Sequence, residues 1–508
     1  MARSPRTLAD AIRLANRIYD RLAARRPEIA RLEGYYAGDQ PLSYATEEWK
    51  RANAVRYNDF SDNWCRPVVD AEAERLAVKG IRCADRDAAK ILWDEWVRNN
   101  MALQSSQGFV TSLATSRSFV LVWGDGNDRP VVSWEHPSAV EIEYEWEDLR
   151  TRHAAIKSWQ DVSTEYLTLY TSDYVWKFER PRQITRLDRE SQARQARNEA
   201  STNGGWEPRF VEGEEFPLPN PLGVVPIVEV PNRPILGGDP ISEISGVASM
   251  QDAINLLWAY LLLAADYASM PARVVLHQDP PKVPLLDKDG QIIPGKHRYL
   301  KIEDLAEKRL LFLQGENTAV DSWDAASLEP FTKVIEFAVG HISAQTRTPP
   351  TYLLSTVGMS NVSGDGLKAS EIGLVKKTRE FQAFVTPAIR EVFRLMALVL
   401  DKPELVKAAE TATISWDDPE IRSESQLSDA LMKKKAIGYP LEYLLELDGL
   451  SQPEIERVLA MIEEQNARST QWATTWKAPG EVEGGQPEDL TVIDAEEVRD
   501  DEPPTERR

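Results

Sequence analysis

Between Pro240 and Pro271 the chain reads ISEISGVASMQDAINLLWAYLLLAADYASM, a stretch without proline that can run as one continuous helix. At about 1.5 Å per residue such a rod is about 45 Å long. Its middle, Ile254 to Ala265, is apolar nearly all round except Asn255. That pattern belongs to a helix covered by neighbours on several sides. Asn255 and Asp266 leave it too short to span a membrane. The next strongly helical run begins near Ser327, and the residues between are proline-rich with a β-like pattern. The chain therefore goes out along one helix and returns along another.

With 508 residues, 42% of them hydrophobic, the chain has material for more than one structural unit and for sizeable cores. A net charge of -21 argues against a broad grip on duplex nucleic acid, which relies on Lys and Arg displacing phosphate counterions. Cys65 and Cys83 fit no metal spacing and are expected to be free, buried thiols in a reducing compartment. The N-terminus lacks an apolar signal core and no later window reaches transmembrane length, so a soluble, unsecreted protein is expected. The 15 tryptophans are scattered and read as amphipathic core and interface residues.

In chain order, residues 7–33 read as a helix broken near Pro27, with Leu8, Ile12, Ala15, Tyr19 and Leu22 at helical spacing and Arg distributed around them. A helix from about Pro67 to Gly80 and another from about Asp87 to Asn99 follow. The period then changes to two. Phe119–Trp123 and Val131–Trp134 flank a turn-rich loop and predict a hairpin. In residues 140–147 apolar and acidic residues alternate, which predicts a strand with one buried and one wet acidic face. Strands at Tyr166–Thr171 and Tyr174–Phe178 complete an antiparallel meander. Residues 180–215 read as an exposed loop, and 221–230 as a short strand leading to the long helix. Beyond it, Arg273–Leu276, a turn at 287–290 and Arg298–Leu300 predict a small β module with edge prolines. A returning helix spans about 328–346. Another long helix follows, kinked or divided by Pro387. Residues 401–470 read as helical again. Residues 481–508 hold 11 Asp or Glu against 3 Arg and are expected to be disordered.

No stretch satisfies G-x-x-x-x-G-K-[ST], so a nucleotide-binding loop of that kind is missing; Gly364-Asp365-Gly366-Leu367-Lys368 lacks its spacing. The five histidines are dispersed, no H-E-x-x-H or G-x-S-x-G occurs, and carboxylates are too abundant for any acidic pair to be diagnostic. Nothing in the sequence marks an enzyme, a cofactor site or a metal site.

Several patches carry a resemblance. They are Tyr35-Tyr36-Ala37-Gly38-Asp39-Gln40-Pro41-Leu42; Pro67-Val68-Val69-Asp70 with Arg75-Leu76 and Gly80; Asn220-Pro221-Leu222-Gly223 through Val230, closed by Asn232-Arg233; Met250-Gln251-Asp252-Ala253-Ile254-Asn255; and Ser363-Gly364-Asp365-Gly366-Leu367-Lys368. In this order, over roughly residues 30–470, the chain resembles portal proteins of tailed bacteriophages, of the branch found in many actinobacterial phages. Ser116-Arg117-Ser118 departs from the family where relatives often place glycine before the first hairpin strand.

The resemblance implies a portal-like α+β fold, mainly helical, in which residues 1–240 hold N-terminal helices and a β-meander wing. Residues 241–270 and 327–346 would be the stem helices, 271–326 the clip, 347–366 the tunnel loop, 367–400 a long wing helix, 401–477 a helical crown and 478–508 the acidic tail. It implies a ring, usually of twelve copies, at one capsid vertex, through which double-stranded DNA is packaged and later ejected. Implied partners are the terminase large subunit, a head-tail adaptor and the major capsid or scaffold protein. The implied location is the virion, with the host cytoplasm during assembly and no membrane. Thr356, Met359, Asn361 and Asp365 are the candidates for lining the DNA channel, with Lys368 placed to touch passing phosphates. Leu257, Trp258, Leu261 and Leu262, on the all-round apolar helix, are the candidates for the subunit interface. The rival readings are another virion structural protein, such as a head-tail adaptor or minor capsid protein, and a metal-dependent DNA-processing enzyme.

Overall fold

The computed structural model describes residues 4–40, 61–148, 150–182, 205–269, 273–276, 282–288, 291–299, 319–322, 327–353, 364–420, 424–450 and 452–475. The chain begins with α1 (Leu8–Ala37), α2 (Cys65–Ala73), β1 (Val78–Arg82), α3 (Arg86–Arg98) and α4 (Met101–Thr115). Strands follow: β2 (Arg117–Gly124), β3 (Pro130–Glu135), β4 (Val140–Tyr144), β5 (Arg152–Gln160), β6 (Thr164–Thr171), β7 (Tyr174–Pro181), β8 (Glu207–Pro208), β9 (Leu218–Pro219) and β10 (Ile227–Pro231). Next come α5 (Ala248–Ser269), β11 (Arg273–Leu276), β12 (Lys282–Leu286), β13 (Ile292–Tyr299), β14 (Ala319–Ser322) and α6 (Glu329–Thr346). The last elements are α7 (Pro350–Leu353), α8 (Gly364–Val399), α9 (Pro403–Glu410), β15 (Thr413–Trp416), α10 (Glu424–Ala436), α11 (Leu441–Leu447) and α12 (Gln452–Thr475).

The sheets are antiparallel. β2 is central between β10 and β3, and β4 to β8 form a meander to which β9 adds by pairing with β7. Between α5 and α6, β11 pairs with β14 and β12 with β13, so the excursion leaves and returns along one ladder. β1 pairs with β15, joining the first hundred residues to the region after α9.

Three apolar clusters form among the described residues, and α1 contributes to two of them. Its first half presents Ala11, Ile12, Ala15, Ile18 and Leu22 to Ile156, Leu167, Leu169 and Phe178 of the meander. Its second half adds Leu32 and Tyr35 to the main core, where α2, α3, α4, β2, β10, α5, α6 and α8 meet. The expected break at Pro27 does not occur: α1 runs through it to Ala37, and Gly38, at φ 96°, closes it by donating to Gly34 O at 2.9 Å. One backbone hydrogen bond lost at proline is outweighed by packing on both sides of it. At the other end Thr7 caps the helix by accepting from Asp10 N. α8 likewise spans Pro387 as one undivided helix.

Other expectations are revised. The helix begun near Pro67 stops at Ala73, and Gly80 lies in β1, because β15 supplies that segment with a strand partner. Position 413–416 is thus strand inside a region read as helical. α4 and β5 were not foreseen. The long apolar helix starts at Ala248, since Ser242 donates to Ala114 O and Glu243 is drawn to a buried lysine, which leaves residues 241–247 in turns. Within 180–215, Trp206 is buried with the Arg180 guanidinium 4.1 Å from its ring centre. Cys65 is buried, and burial pushes its thiol up to about 12; Cys83 is half-buried; both are free. Residues 476–508, including the acidic tail, lie outside the described residues.

The alternating acidic strand is the clearest correction. Glu141 and Glu143 on β4 are each only 6% exposed, where a wet face was expected. Arg17, Arg21 and Arg25, four apart on one face of α1, cover them: Arg17 Nε donates to Glu143 Oε2 at 3.0 Å, Arg25 Nη1 donates to Glu141, and Arg21 reaches both. Burial pushes the Glu141 carboxyl above its ordinary value, opposed by the charges of Arg25, Arg117 and Arg21.

Candidate functional site at the base of the two long helices

Around the start of α5 the chain places a run of polar side chains in the main core. Tyr35 donates its hydroxyl to both carboxylate oxygens of Asp252 at 2.9 Å, and burial and that acceptor raise the phenol to about 12. Gln251 Oε1 accepts from Trp64 N at 2.7 Å, and Asn255 Oδ1 accepts from Asp62 N at 3.1 Å while its amide donates to Gln40 Oε1. Gln251, Asp252 and Asn255 are all buried, so each needs these partners to offset its lost hydration. The polar exceptions in an otherwise apolar helix thereby fix its rotation and height against Tyr35, Gln40, Asp62 and Trp64.

Lys377 of α8 is 1% exposed. Its ammonium donates to Glu243 Oε2 and to Thr346 O at the end of α6, both at 3.0 Å. It also lies 3.0 Å from Glu72 Oε2 of α2, a contact not aligned as a hydrogen bond. Burial lifts the Glu72 carboxyl to about 7, against the pull of Lys377 and with the push of Glu243. Arg233 Nε reaches Glu243 Oε1 at 2.9 Å and Asn232 Nδ2 donates to the same oxygen at 3.1 Å. One lysine therefore joins α2, the segment before α5, the end of α6 and α8.

This junction holds the near end of the connection between α6 and α8. Arg347, at φ 55°, pairs with Glu380 at 2.9 Å; Ser343 donates to Thr348 O at 2.7 Å; and Arg75 donates to the Tyr352 hydroxyl at 2.6 Å. Residues 347–353 are thus anchored to the body, with Leu353 buried. Of the channel candidates, Thr356, Met359 and Asn361 lie outside the described residues, and Asp365 and Lys368 fall in the first turns of α8.

The interface candidates sit differently. Leu261 is buried in its own chain's core, Leu257 and Trp258 are half-buried against that core, and Leu262 is half-buried. Trp258 also donates Nε1 to Asp62 Oδ2 at 2.7 Å. On α6, Phe337 is 71% and Val334 50% exposed beside an open cavity of about 410 Å³ lined by Glu336, Phe337, Gly340, His341 and Ala344. No group of His, Cys, Asp or Glu able to hold a metal occurs among the described residues, and no described helix is long and apolar enough to cross a membrane.

Parts of four of the patches that carried the resemblance take part in these networks. Tyr36 donates to Asp70 at 2.8 Å, Tyr35 meets Asp252, Gln40 meets Asn255, and Asn232 and Arg233 meet the partner of Lys377. Comparison with known proteins agrees. The portal protein of Mycobacterium phage L5 is 26% identical over 386 residues, covering 72% of this chain and 71% of that one. The portal protein of Mycobacterium phage D29 is 27% identical over 423 residues, 79% of each. Among solved structures, the virion of a native gene transfer agent particle contains a chain with TM-score 0.42 and 12% identity, covering 83% of this chain and 93% of that one. A chain from the neck of the native particle, solved with C12 symmetry, gives TM-score 0.41 at 12% identity, covering 76% and 90%. The family described as phage portal protein, SPP1 Gp6-like, matches residues 15–468, and the chain belongs to it.

Proposed function

We propose that this portal protein closes into a ring of twelve copies at one capsid vertex, through which double-stranded DNA enters during packaging and leaves on ejection. The observation that carries the ring is the outer face of α6. α5 packs on one side of this helix, while Phe337 and Val334 stand in solvent on the other. An apolar face of that kind is covered in a cyclic assembly by the next copy. In this reading α5 and α6 are the stem, the β11–β14 and β12–β13 ladders belong to the clip, the meander to the wing, and α10 to α12 to the crown. The segment 403–416 packs with α8 and β1 in the main core and so joins the wing side. The terminase large subunit, a head-tail adaptor and the major capsid or scaffold protein are the partners that such a vertex requires.

Residues 354–363, which follow the anchored segment 347–353 in sequence, are proposed to face the channel, with Thr356, Met359 and Asn361 as lining and Asp365 and Lys368 beside them. A chain of net charge -21 suits passage, because a surface dominated by carboxylates does not hold a phosphate backbone. Tethering a bulky group at Asn361→Cys on every subunit tests this: packaging should stop while assembly is normal. Normal packaging with complete modification removes these residues from the channel.

A further inference from the structure

We propose that residues 489–498 of this chain dock on the exposed face formed by the end of α10 and by α11. Four large apolar side chains stand in solvent there: Met432 at 72%, Ile437 at 78%, Tyr439 at 44% and Tyr443 at 40% exposed. The two tyrosine rings stack with centroids 5.6 Å apart. Beside them runs Lys433-Lys434-Lys435. Lys433 pairs with Asp429 at 2.6 Å, while Lys434 and Lys435 have no ion-pair partner among the described residues. An apolar patch rimmed by cations selects a segment that is both acidic and apolar.

The chain's own C-terminal stretch contains one. Asp489-Leu490-Thr491-Val492-Ile493-Asp494-Ala495-Glu496-Glu497-Val498 combines four carboxylates with the Leu and the Ile of the sequence after Lys477. Reach permits the contact. α12 starts at Gln452, soon after α11 ends at Leu447, and its 24 residues place Thr475 at most about 36 Å from that start. The residues from Thr475 to Asp489 extend over as much as about 45 Å. Tethering supplies an effective concentration on the order of millimolar, so a weak intrinsic affinity suffices. A nucleic acid would meet the same lysines, but it lacks apolar side chains for Met432 and Ile437 and must approach a chain of net charge -21 untethered.

Hydrogen exchange on the full-length protein tests this. The amides of 489–498 should exchange at least about fivefold more slowly in the parent than in a Lys433→Glu/Lys434→Glu/Lys435→Glu variant, and truncation after Lys477 should speed exchange over 432–443. Combining the lysine reversal with Asp489→Lys, Asp494→Lys, Glu496→Lys and Glu497→Lys should restore the slow exchange. Equal exchange of 489–498 in parent and reversed variant overturns the proposal. So does protection of 432–443 that appears only when a short DNA duplex is added, which assigns the face to nucleic acid.

Discussion

Lys377 and Glu72, both 1% exposed, meet at 3.0 Å although they are far apart in sequence, one on α8 and one on α2. The same ammonium closes the end of α6 and holds Glu243 before α5, so α2, the segment before α5, the end of α6 and α8 share one buried charge. Lys377→Met removes the cation and leaves two carboxylates buried together, which should cost about 3–5 kcal/mol in urea unfolding. A loss below about 1 kcal/mol would show that the junction relaxes without it.

The pH dependence follows from the same pair. Glu72 holds its proton to about 7 in the fold against 4.5 when free, so its contribution is fully present below pH 4.5 and is lost as pH rises towards 7. Glu72→Gln stays neutral throughout. Its urea midpoint should fall less than the parent's between about pH 5 and about pH 7.5. Equal falls in the two proteins would contradict the raised carboxyl.

Removing the arginine cover of β4 exposes what the strand pattern concealed. Arg25→Met strips Glu141 of its donor beneath α1 and should cost about 2–3 kcal/mol, whereas Arg13→Met, whose partner Asp10 is on the surface, should change stability by less than about 0.5 kcal/mol. Similar costs for the two would return β4 to a solvated face.

Gly108 of α4 lies under Trp134: a Cβ there would sit 2.0 Å from the indole ring, which donates Nε1 to Ser118 Oγ at 2.7 Å. Gly108→Ala should therefore destabilise by about 1–3 kcal/mol despite alanine's better helix propensity, and shift Trp134 fluorescence. Unchanged or increased stability would mean that the indole moves aside freely.

The period of the sequence showed which residues share a face, and that was enough for the α5 and α6 rods, the hairpin of β2 and β3, and strands β4, β6 and β7 of the meander. It could not show what covers a face. Glu141 and Glu143 looked wet because nothing in residues 140–147 announces α1, although Arg17, Arg21 and Arg25 at four-residue spacing carried the complementary signal. The pairing of β1 with β15 was hidden for a related reason, since strands of four or five residues have little pattern and their partners are far apart in sequence. At the candidate site, Asn255 was legible as an exception in an apolar helix, and Gln251 and Asp252 only as part of a patch that carried the resemblance. Their partners at Tyr35, Gln40, Asp62 and Trp64 emerged only from the packed core. Lys377 was invisible, because one lysine in a long amphipathic helix reads as solvated.

The C-terminal stretch has a separate consequence for assembly. Residues 481–508 hold too little apolar content to offset the entropy of ordering a subunit interface. Truncation after Lys477 should leave the oligomer's mass, in subunits, unchanged by light scattering. Dissociation of the truncated protein would make the stretch part of the interface.

Particle imaging of the purified full-length protein tests the ring most directly. The account predicts closed rings with a central channel, the α6 face bearing Phe337 and Val334 covered by the adjacent copy, and Phe337→Asp yielding monomers or open arcs. A parent protein that stays monomeric at micromolar concentration, or rings that leave Phe337 in solvent, would contradict it.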